Sequence, residues 1–375
     1  MKMKPSAAAP VLLFLGTEKG TFTLTSDRLR KHWSFSGPHL VGAEVYHMAY
    51  DHRNEGTLLA AVNSPIWGPQ IHVSRDLGNT WTPCKDQPRF PKESGKTVKR
   101  FWHIRPGRES EPKVWYVGAE PASLFKSADH GATWIEVSSL SNHPTSERWQ
   151  PGFGGLCLHS IVLHPTEKNR MWVGMSAVGV FGTKDGGQSW KPMNKGVRAD
   201  FMPEKFPEYG QCTHKLLSHP ASPETLFQQN HCGVYRSDSG GEEWQDISDG
   251  LPSRFGFVLG LHAKDPNTIY VVPEDEALGD KVGGGQRFVT GAKLRVYRSR
   301  NAGNSWEPLT DGLPQANAFL HLLREGMATD TLDPCGIYMA TKTGQVFYSR
   351  DGGDHWELLR EHLPPILSVG VAVTG

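Results

Sequence analysis

One short sequence, Ser/Thr-x-Asp-x-Gly-x-x-Trp, recurs along the whole chain of 375 residues at intervals of about 50 to 60 residues. The copies begin at Thr25, Ser74, Ser127, Thr183, Ser237, Ser299 and Ser349. The first copy is degenerate, and in two others Ser239 or Asn301 replaces the acid. A repeat of this length indicates a series of similar units, each of which buries its apolar face against its neighbours.

The residue types of this repeated sequence are those of a tight turn. In the copy from Ser127 to Trp134, the carboxylate of Asp129 can accept hydrogen bonds from backbone N–H groups just ahead of it. Gly131 suits a position with positive φ, and the Trp supplies a large apolar surface between sheets. We interpret the repeat as a structural turn rather than as catalytic machinery.

Each unit shows the same order of segments, which we name strands A, B, C and D. Strand A often ends at a proline, as in residues 158–165, and strand B is rich in β-branched and aromatic residues, as in 114–118. Strand C runs into the repeated turn, and strand D begins at its Trp. Four antiparallel strands in each of seven units predict an all-β fold, a seven-bladed β-propeller, with residues 1–375 as a single domain.

The two ends of the sequence complement each other. The N-terminal part supplies strands B, C and D of one unit, beginning at residues 11, 21 and 33, but no strand A. Residues 366–373 form a strand with nothing paired after it. We therefore expect the ring to close by pairing of Val369 and its neighbours with Leu13 and its neighbours, which removes the exposed sheet edges.

The repeated turn resembles the Asp box, or BNR repeat, of sialidase-like, sortilin-like and photosystem-assembly-factor-like propellers. The resemblance covers nearly the whole chain, and it implies the propeller fold. It implies little about activity.

Composition narrows the possible partners. The formal charge is +1, from 40 basic and 39 acidic residues, so nothing favours nucleic acid or an anionic membrane. The apolar run 11–15 is shorter than the core of a signal peptide, and the five cysteines are odd in number. We expect reduced thiols, a cytoplasmic location, and a monomer or small homo-oligomer.

Histidines recur at one position when the predicted A strands are aligned. They are His47, His103, His159, His214 and His321. Cys157 and Cys212 lie two residues before two of them, on the same side of their strands. His231 falls in a predicted B–C connection, which shares a face with the D–A connections. The long insertions 83–100, 141–155, 194–211 and 274–292 belong to that same face.

The pattern predicts that these five histidines and His231 converge near the propeller axis and that a subset binds one transition-metal ion. Neutral imidazoles suit Zn, Cu and Fe rather than Ca²⁺ or Mg²⁺. A water-filled or ligand-filled histidine channel and a purely structural role remain as alternatives. A four-histidine iron centre on a propeller axis is similar to that of carotenoid-cleaving oxygenases, although their sequence motifs are absent.

From this site we predict a metal-dependent enzyme, primarily an oxidoreductase, that acts on a small organic molecule. The chemistry would be oxidative with Fe or Cu and hydrolytic with Zn. Glu44 and Glu120 are candidate catalytic carboxylates near the predicted site, and Trp102 and Tyr209 are candidate substrate-binding walls.

Two other functions remain open. A sialidase-like glycoside hydrolase would need three arginines around a carboxylate, and only Arg105 and Arg324 lie on predicted inner strands. A non-catalytic assembly or interaction platform is the other alternative, because a propeller scaffold by itself does not imply catalysis.

Overall fold

The computed structural model describes residues 10–53, 56–276 and 287–374. These residues form seven antiparallel sheets, each with four strands in its main path, arranged as the blades of a β-propeller. The predicted fold class is confirmed. We number the blades 1 to 7 in chain order, starting with the one that contains the first strand.

Blades 1 to 3 contain β1 (Val11–Thr17), β2 (Gly20–Ser26), β3 (Trp33–His39), β4 (Glu44–Asp51), β5 (Thr57–Ser64), β6 (Gly68–Ser74), β7 (Thr82–Pro83), β8 (Arg100–Pro106), β9 (Trp115–Glu120), β10 (Ser123–Ser127) and β11 (Ile135–Glu136). Blades 4 and 5 contain β12 (Leu158–Leu163), β13 (Met171–Met175), β14 (Gly179–Thr183), β15 (Lys191–Pro192), β16 (Thr213–His219), β17 (Ser222–Asn230), β18 (Gly233–Ser237) and β19 (Gln245–Asp246). Blades 6 and 7 contain β20 (Gly256–Leu261), β21 (Ile269–Glu276), β22 (Arg287–Val289), β23 (Val296–Ser299), β24 (Glu307–Leu309), β25 (Met327–Thr329), β26 (Ile337–Ala340), β27 (Val346–Ser349) and β28 (Glu357–Arg360), and β29 (Ile366–Val373) returns to blade 1.

The ring closes between the two ends of the described chain, as predicted. The last strand, β29, pairs with β1 along its length, with Leu13 opposite Val371 and Leu15 opposite Val369. Blade 1 therefore has the order β29-β1-β2-β3. Its apolar side chains pack with those of blade 7 in a common cluster, so the closure buries core surface as well as satisfying backbone hydrogen bonds.

The connections place the long insertions on one face. We call the face with the D–A and B–C connections the loop face. Short helices occur only in these insertions among the described residues: α1 (Ser138–Ser141) and the 3-10 turns Lys92–Ser94, Ser146–Arg148 and Thr290–Ala292. The repeated turns connect strands C and D and lie on the opposite face. Residues 277–286 of the predicted B–C insertion lie outside the described residues. None of the helices in the described part of the chain has the length and apolar character of a membrane span.

The repeated turn has the predicted chemistry. The Asp129 Oδ1 atom accepts hydrogen bonds from the Thr133 amide at 2.9 Å and from the Ser127 hydroxyl at 2.8 Å. The Ser127 hydroxyl in turn accepts the amide of Gly131, whose φ is +84°. Trp134 packs in the apolar cluster between blades 2 and 3. The turn thus fixes the C–D hairpin and attaches it to the core.

We expect Asp129→Ala to destabilise the protein by about 1 to 2 kcal/mol, because the carboxylate loses its hydrogen bonds from the Thr133 amide and from the Ser127 and Thr133 hydroxyls at once. Urea denaturation will measure the change. Asp129→Asn is the matched control, since Asn301 occupies the same place in another copy and accepts the Ser305 amide at 2.9 Å. An Ala variant as stable as the wild type would contradict the assignment of this turn as a structural element.

Candidate functional site

The innermost strands of the blades are irregular at their first residues. Relative to its neighbour, each of β4, β8, β12, β16 and β29 contains one extra residue at this point, a β-bulge. The extra residues are Tyr46, Trp102, His159, His214 and Leu367. The residues that follow them are His47, His103, Ser160, Lys215 and Ser368. The bulge therefore builds two different layers of side chains near the axis.

Because of the bulges, the histidines that align in the sequence do not occupy equivalent positions in the structure. His47 and His103 follow the extra residue of their strands, whereas His159 and His214 are the extra residue. A shift of one residue sends a side chain in a different direction, so the histidines enter different layers. His321 lies ahead of β25 rather than on it, and its Nδ1 atom is 2.7 Å from Glu274 Oε2.

The six imidazoles consequently do not converge on one point. His47 and His103 lie together, with ring centroids 4.4 Å apart, and His214 and His231 form a separate pair with centroids 5.7 Å apart. The ring of His159 lies between the Ser160 hydroxyl at 3.1 Å and the Thr213 carbonyl at 2.9 Å. No group of three of these six histidines is close enough to share an ion within the described residues.

One layer is organised by Glu325, which the sequence reasoning missed. Its carboxylate lies 2.5 Å from Lys215 Nζ, 3.2 Å from His103 Nδ1 and 3.5 Å from His47 Nε2. Burial raises the pKa of Glu325, but the neighbouring ammonium and imidazoles outweigh it and hold the pKa well below its usual value. Burial and the adjacent His47 lower the pKa of His103 to about 3. The imidazole of His103 is therefore neutral and lies beside the buried ion pair of Glu325 and Lys215.

The other layer is organised by Arg324, which is only 6% exposed. Its guanidinium lies over the rings of Trp102 and Phe257 at 5.2 and 5.8 Å, and it donates to the Tyr46 hydroxyl at 3.1 Å. Burial raises the pKa of Tyr46 to about 12, so the phenol stays protonated. Arg105 is exposed, in contrast to Arg324, and does not complete an arginine clamp with it.

The two predicted carboxylates, Glu44 and Glu120, lie at the loop face of blades 2 and 3. Trp102 Nε1 donates to Glu120 Oε2 at 3.2 Å, and Arg100 Nε lies 3.2 Å from Glu44 Oε1. Arg100 is the cross-strand partner of Glu120, and its guanidinium lies over the Trp102 ring at 5.3 Å. Burial raises the pKa of Glu44, although Arg100 opposes the shift. These four residues form a continuous polar and aromatic site, which we call the carboxylate pair site.

Tyr209 is not part of that site. It packs against the apolar cluster of blades 3 and 4 and lies under the guanidinium of Arg148 at 5.3 Å. Of the four candidate catalytic and substrate-binding residues, the structure brings together Glu44, Trp102 and Glu120. Tyr209 lies apart from them, in the D–A connection ahead of β16.

A second group on the loop face contains Cys212, His214 and His231. One ligand atom from each lies within 4.8 Å of the others. Burial raises the pKa of the Cys212 thiol, but the two imidazoles outweigh it and hold the pKa well below its usual value. The signal for this group in the sequence is the spacing of two residues between Cys212 and His214, which predicts that they share a side of their strand. All five cysteines are free thiols.

Most of the large exposed apolar side chains lie in the D–A and B–C connections. On the loop face these are Val41, Ile66, Trp67, Phe153, Phe201, Met202, Phe206 and Phe319. Monomeric proteins seldom expose so many aromatic side chains on one face without a ligand or partner for them. This asymmetry makes the loop face the candidate binding face.

Comparison with known proteins finds distant relatives. No known protein-family profile matches the chain. A xyloglucanase from Paenibacillus sp. is 23% identical over 298 residues, which are 77% of this chain and 23% of that protein. A probable oligoxyloglucan-reducing end-specific xyloglucanase from Neosartorya fischeri is 23% identical in an alignment of 343 residues, which covers 80% of this chain and 38% of that protein. The chain thus spans less than half the length of either relative.

Solved structures share the architecture. An ancestral GH74 enzyme superposes with a TM-score of 0.56 at 14% identity, covering 84% of this chain and 38% of that one. YCF48 from Cyanidioschyzon merolae superposes with a TM-score of 0.54 at 14% identity, covering 86% of both chains. At this identity these structures establish the seven-bladed propeller fold and nothing further.

The prediction of a metal-dependent oxidoreductase is wrong. The two relatives found by sequence are xyloglucanases, so the sequence similarity leads to glycoside hydrolases rather than to a metal oxidoreductase. The error came from treating six histidines as one ligand set, which the bulges divide.

Proposed function

We propose that this propeller is a glycoside hydrolase that binds a neutral oligosaccharide on its loop face and cleaves it at the carboxylate pair site. One observation carries the proposal. Glu44 and Glu120, from neighbouring blades, contact the half-buried Arg100 and the buried Trp102 on the face that bears the exposed aromatic side chains.

Two carboxyl groups in different environments suit glycosidic bond cleavage, in which one acts as general acid and the other as base or nucleophile. The raised pKa of Glu44 makes it the better proton donor to the leaving oxygen. Glu120 is held by the indole N–H of Trp102, which orients one of its oxygens. We assign Glu120 the role of base or nucleophile.

The surrounding surface suits a sugar chain. Trp67 is 75% exposed and Phe153 is 88% exposed, both on the loop face. Flat aromatic rings can pack against the apolar faces of sugar rings, while a few polar groups fix orientation. A neutral sugar fits better than a sialic acid, because Arg324 is buried and already engaged with Tyr46 and with the His214 carbonyl.

The relatives support the substrate class. Both are named xyloglucanases, so xyloglucan oligosaccharides are the first substrates to examine. We further propose that the repeated turns are Asp boxes and that the chain belongs to that propeller superfamily. The four turns with the full Ser/Thr-x-Asp-x-Gly-x-x-Trp sequence support this assignment.

We expect Glu44→Gln and Glu120→Gln each to lower the rate of oligosaccharide cleavage by about 10² to 10⁴-fold, the usual contribution of a positioned acid or base. The assay is release of new reducing ends from xyloglucan oligosaccharides and a panel of other neutral glycans. Asp129→Asn, on the opposite face, is the matched control and should keep the wild-type rate. Melting temperatures will show that the Gln variants are folded.

Two results would overturn the proposal. The first is that the folded wild-type protein cleaves none of the glycans in the panel. The second is that both Gln variants cleave at the wild-type rate. Either result would favour the alternative of a non-catalytic interaction platform.

A further inference from the structure

The group formed by Cys212, His214 and His231 lies in blade 5, away from the carboxylate pair site of blades 2 and 3. Cys212 immediately precedes β16, His214 is the extra residue of the bulge in that strand, and His231 lies in the turn between β17 and β18. The His231 amide donates to the Cys212 carbonyl at 3.0 Å, which joins the turn to the start of the strand. Three potential ligand atoms are thereby held on two connected backbone segments.

The His214 ring is held in one orientation and one tautomer by its neighbours. Its Nδ1 atom lies 2.6 Å from the Gly256 carbonyl, to which only a protonated nitrogen can donate. The lone pair of the neutral ring therefore belongs to Nε2. Histidine ligands commonly donate their second N–H to a backbone carbonyl in this way. Phe257 stacks on the same ring with a centroid separation of 4.4 Å and restricts its rotation.

Aromatic side chains also hold His231. Phe201 and Phe255 contact its ring edge-on, with centroids 5.2 and 5.1 Å away. These rings restrict the movement of the His231 ring. On the side of blade 4, the Ser176 hydroxyl lies 3.8 Å from Cys212 Sγ.

The described residues contain two other groups of three side chains whose ligand atoms are close enough to share a metal ion. In each of these groups a carboxylate is already paired with a Lys or Arg side chain. Glu325, in the group with His47 and His103, is paired with Lys215. Glu224, in the group with His164 and Glu167, is paired with Arg170, and both acids are substantially exposed. The Cys212 group has no carboxylate, and its donors are one sulfur and two imidazole nitrogens.

We infer that Cys212, His214 and His231 bind one Zn²⁺ ion, with a fourth position open to water or a small ligand. Sulfur and imidazole nitrogen are the donors that Zn²⁺ takes in proteins, whereas Ca²⁺ and Mg²⁺ need oxygen. A set of three protein ligands with an open position is the arrangement of exchangeable zinc sites rather than closed structural ones. The inference does not depend on the proposed glycoside hydrolysis.

The test uses the full chain stripped of metal and titrated with Co²⁺ as a spectroscopic substitute for Zn²⁺. We expect one equivalent to bind and to produce a thiolate-to-cobalt charge-transfer band, which Zn²⁺ then abolishes by displacement. Cys212→Ser and His231→Gln should each lose the band. Cys232→Ser is the matched control and should keep it, because Cys232 Sγ instead accepts the Asp200 amide at 3.4 Å.

A second measurement needs no variant and so remains valid if a substitution prevents folding. Zn²⁺ should slow alkylation of Cys212 in the wild-type protein at least about tenfold, as measured by mass spectrometry of the modified peptide. Unchanged alkylation, no stoichiometric cobalt binding, or a wild-type cobalt spectrum in folded Cys212→Ser would overturn the inference. None of these readouts involves a sugar substrate, so a failure here is distinct from a failure of the proposed hydrolase activity.

Discussion

Removal of residues 366–375 should abolish cooperative folding rather than weaken it. The deletion takes away β29, leaves the edge of β1 that faces β29 without backbone partners, and opens the ring between blades 1 and 7. It also uncovers apolar residues of the cluster shared by these two blades. Thermal melting followed by circular dichroism, together with limited proteolysis, will measure the loss.

The control is a synthetic peptide of residues 366–375 added in trans. Because an open sheet edge is a template for an added strand, the peptide should restore a cooperative transition at high concentration. A truncated chain that melts like the full-length protein would contradict closure by β29.

Replacing Glu325 by Gln should cost about 3 to 5 kcal/mol of unfolding free energy, the usual effect of removing one partner from a buried ion pair. The change leaves Lys215, whose side chain is buried, without its counter-ion. Urea denaturation at neutral pH will measure the effect. Glu325 lies near the axis and not in the carboxylate pair site, so the loss concerns stability.

The control is a double-mutant cycle with Lys215→Met, which should recover much of the loss because the unpaired charge is removed. The pH dependence gives a second check. The folded pKa of Glu325 lies well below its unfolded value, so its contribution is complete at neutral pH and fades as the pH falls below about 4. The penalty of Glu325→Gln should therefore shrink in acid. Additive single effects, or a penalty independent of pH, would argue against the network.

The propeller fold was predictable because every unit contains a copy of the same turn sequence. The turn sequence appears seven times at a nearly constant interval, so a misread copy does not change the number of blades. The strand bounds at the two ends were also predictable, since residues 366–373 are apolar and had no partner within their own unit. The structure has β29 over those residues.

The site was only partly predictable, because a β-bulge has no clear signature in a single sequence. His103 and His159 occupy the same place in a sequence alignment, yet one follows the extra residue of its strand and the other is that residue. Glu325 was missed for a different reason. In blade 7 the inner strand is only β25, Met327–Thr329, and the axial residues come from the irregular segment ahead of it. The placement of Glu44, Glu120 and Trp102 on the loop face was predictable, because they lie at or near strand ends next to the long connections.

Two successive charged residues, Arg324 and Glu325, decide how a ligand can lie relative to the propeller axis. Both are nearly inaccessible to solvent, at 6% and 5% exposure, and their partners come from blades 2, 3 and 5. Within the described residues, these two side chains and their partners therefore fill the axis at this level. A glycan bound as proposed would lie across the loop face rather than along the axis.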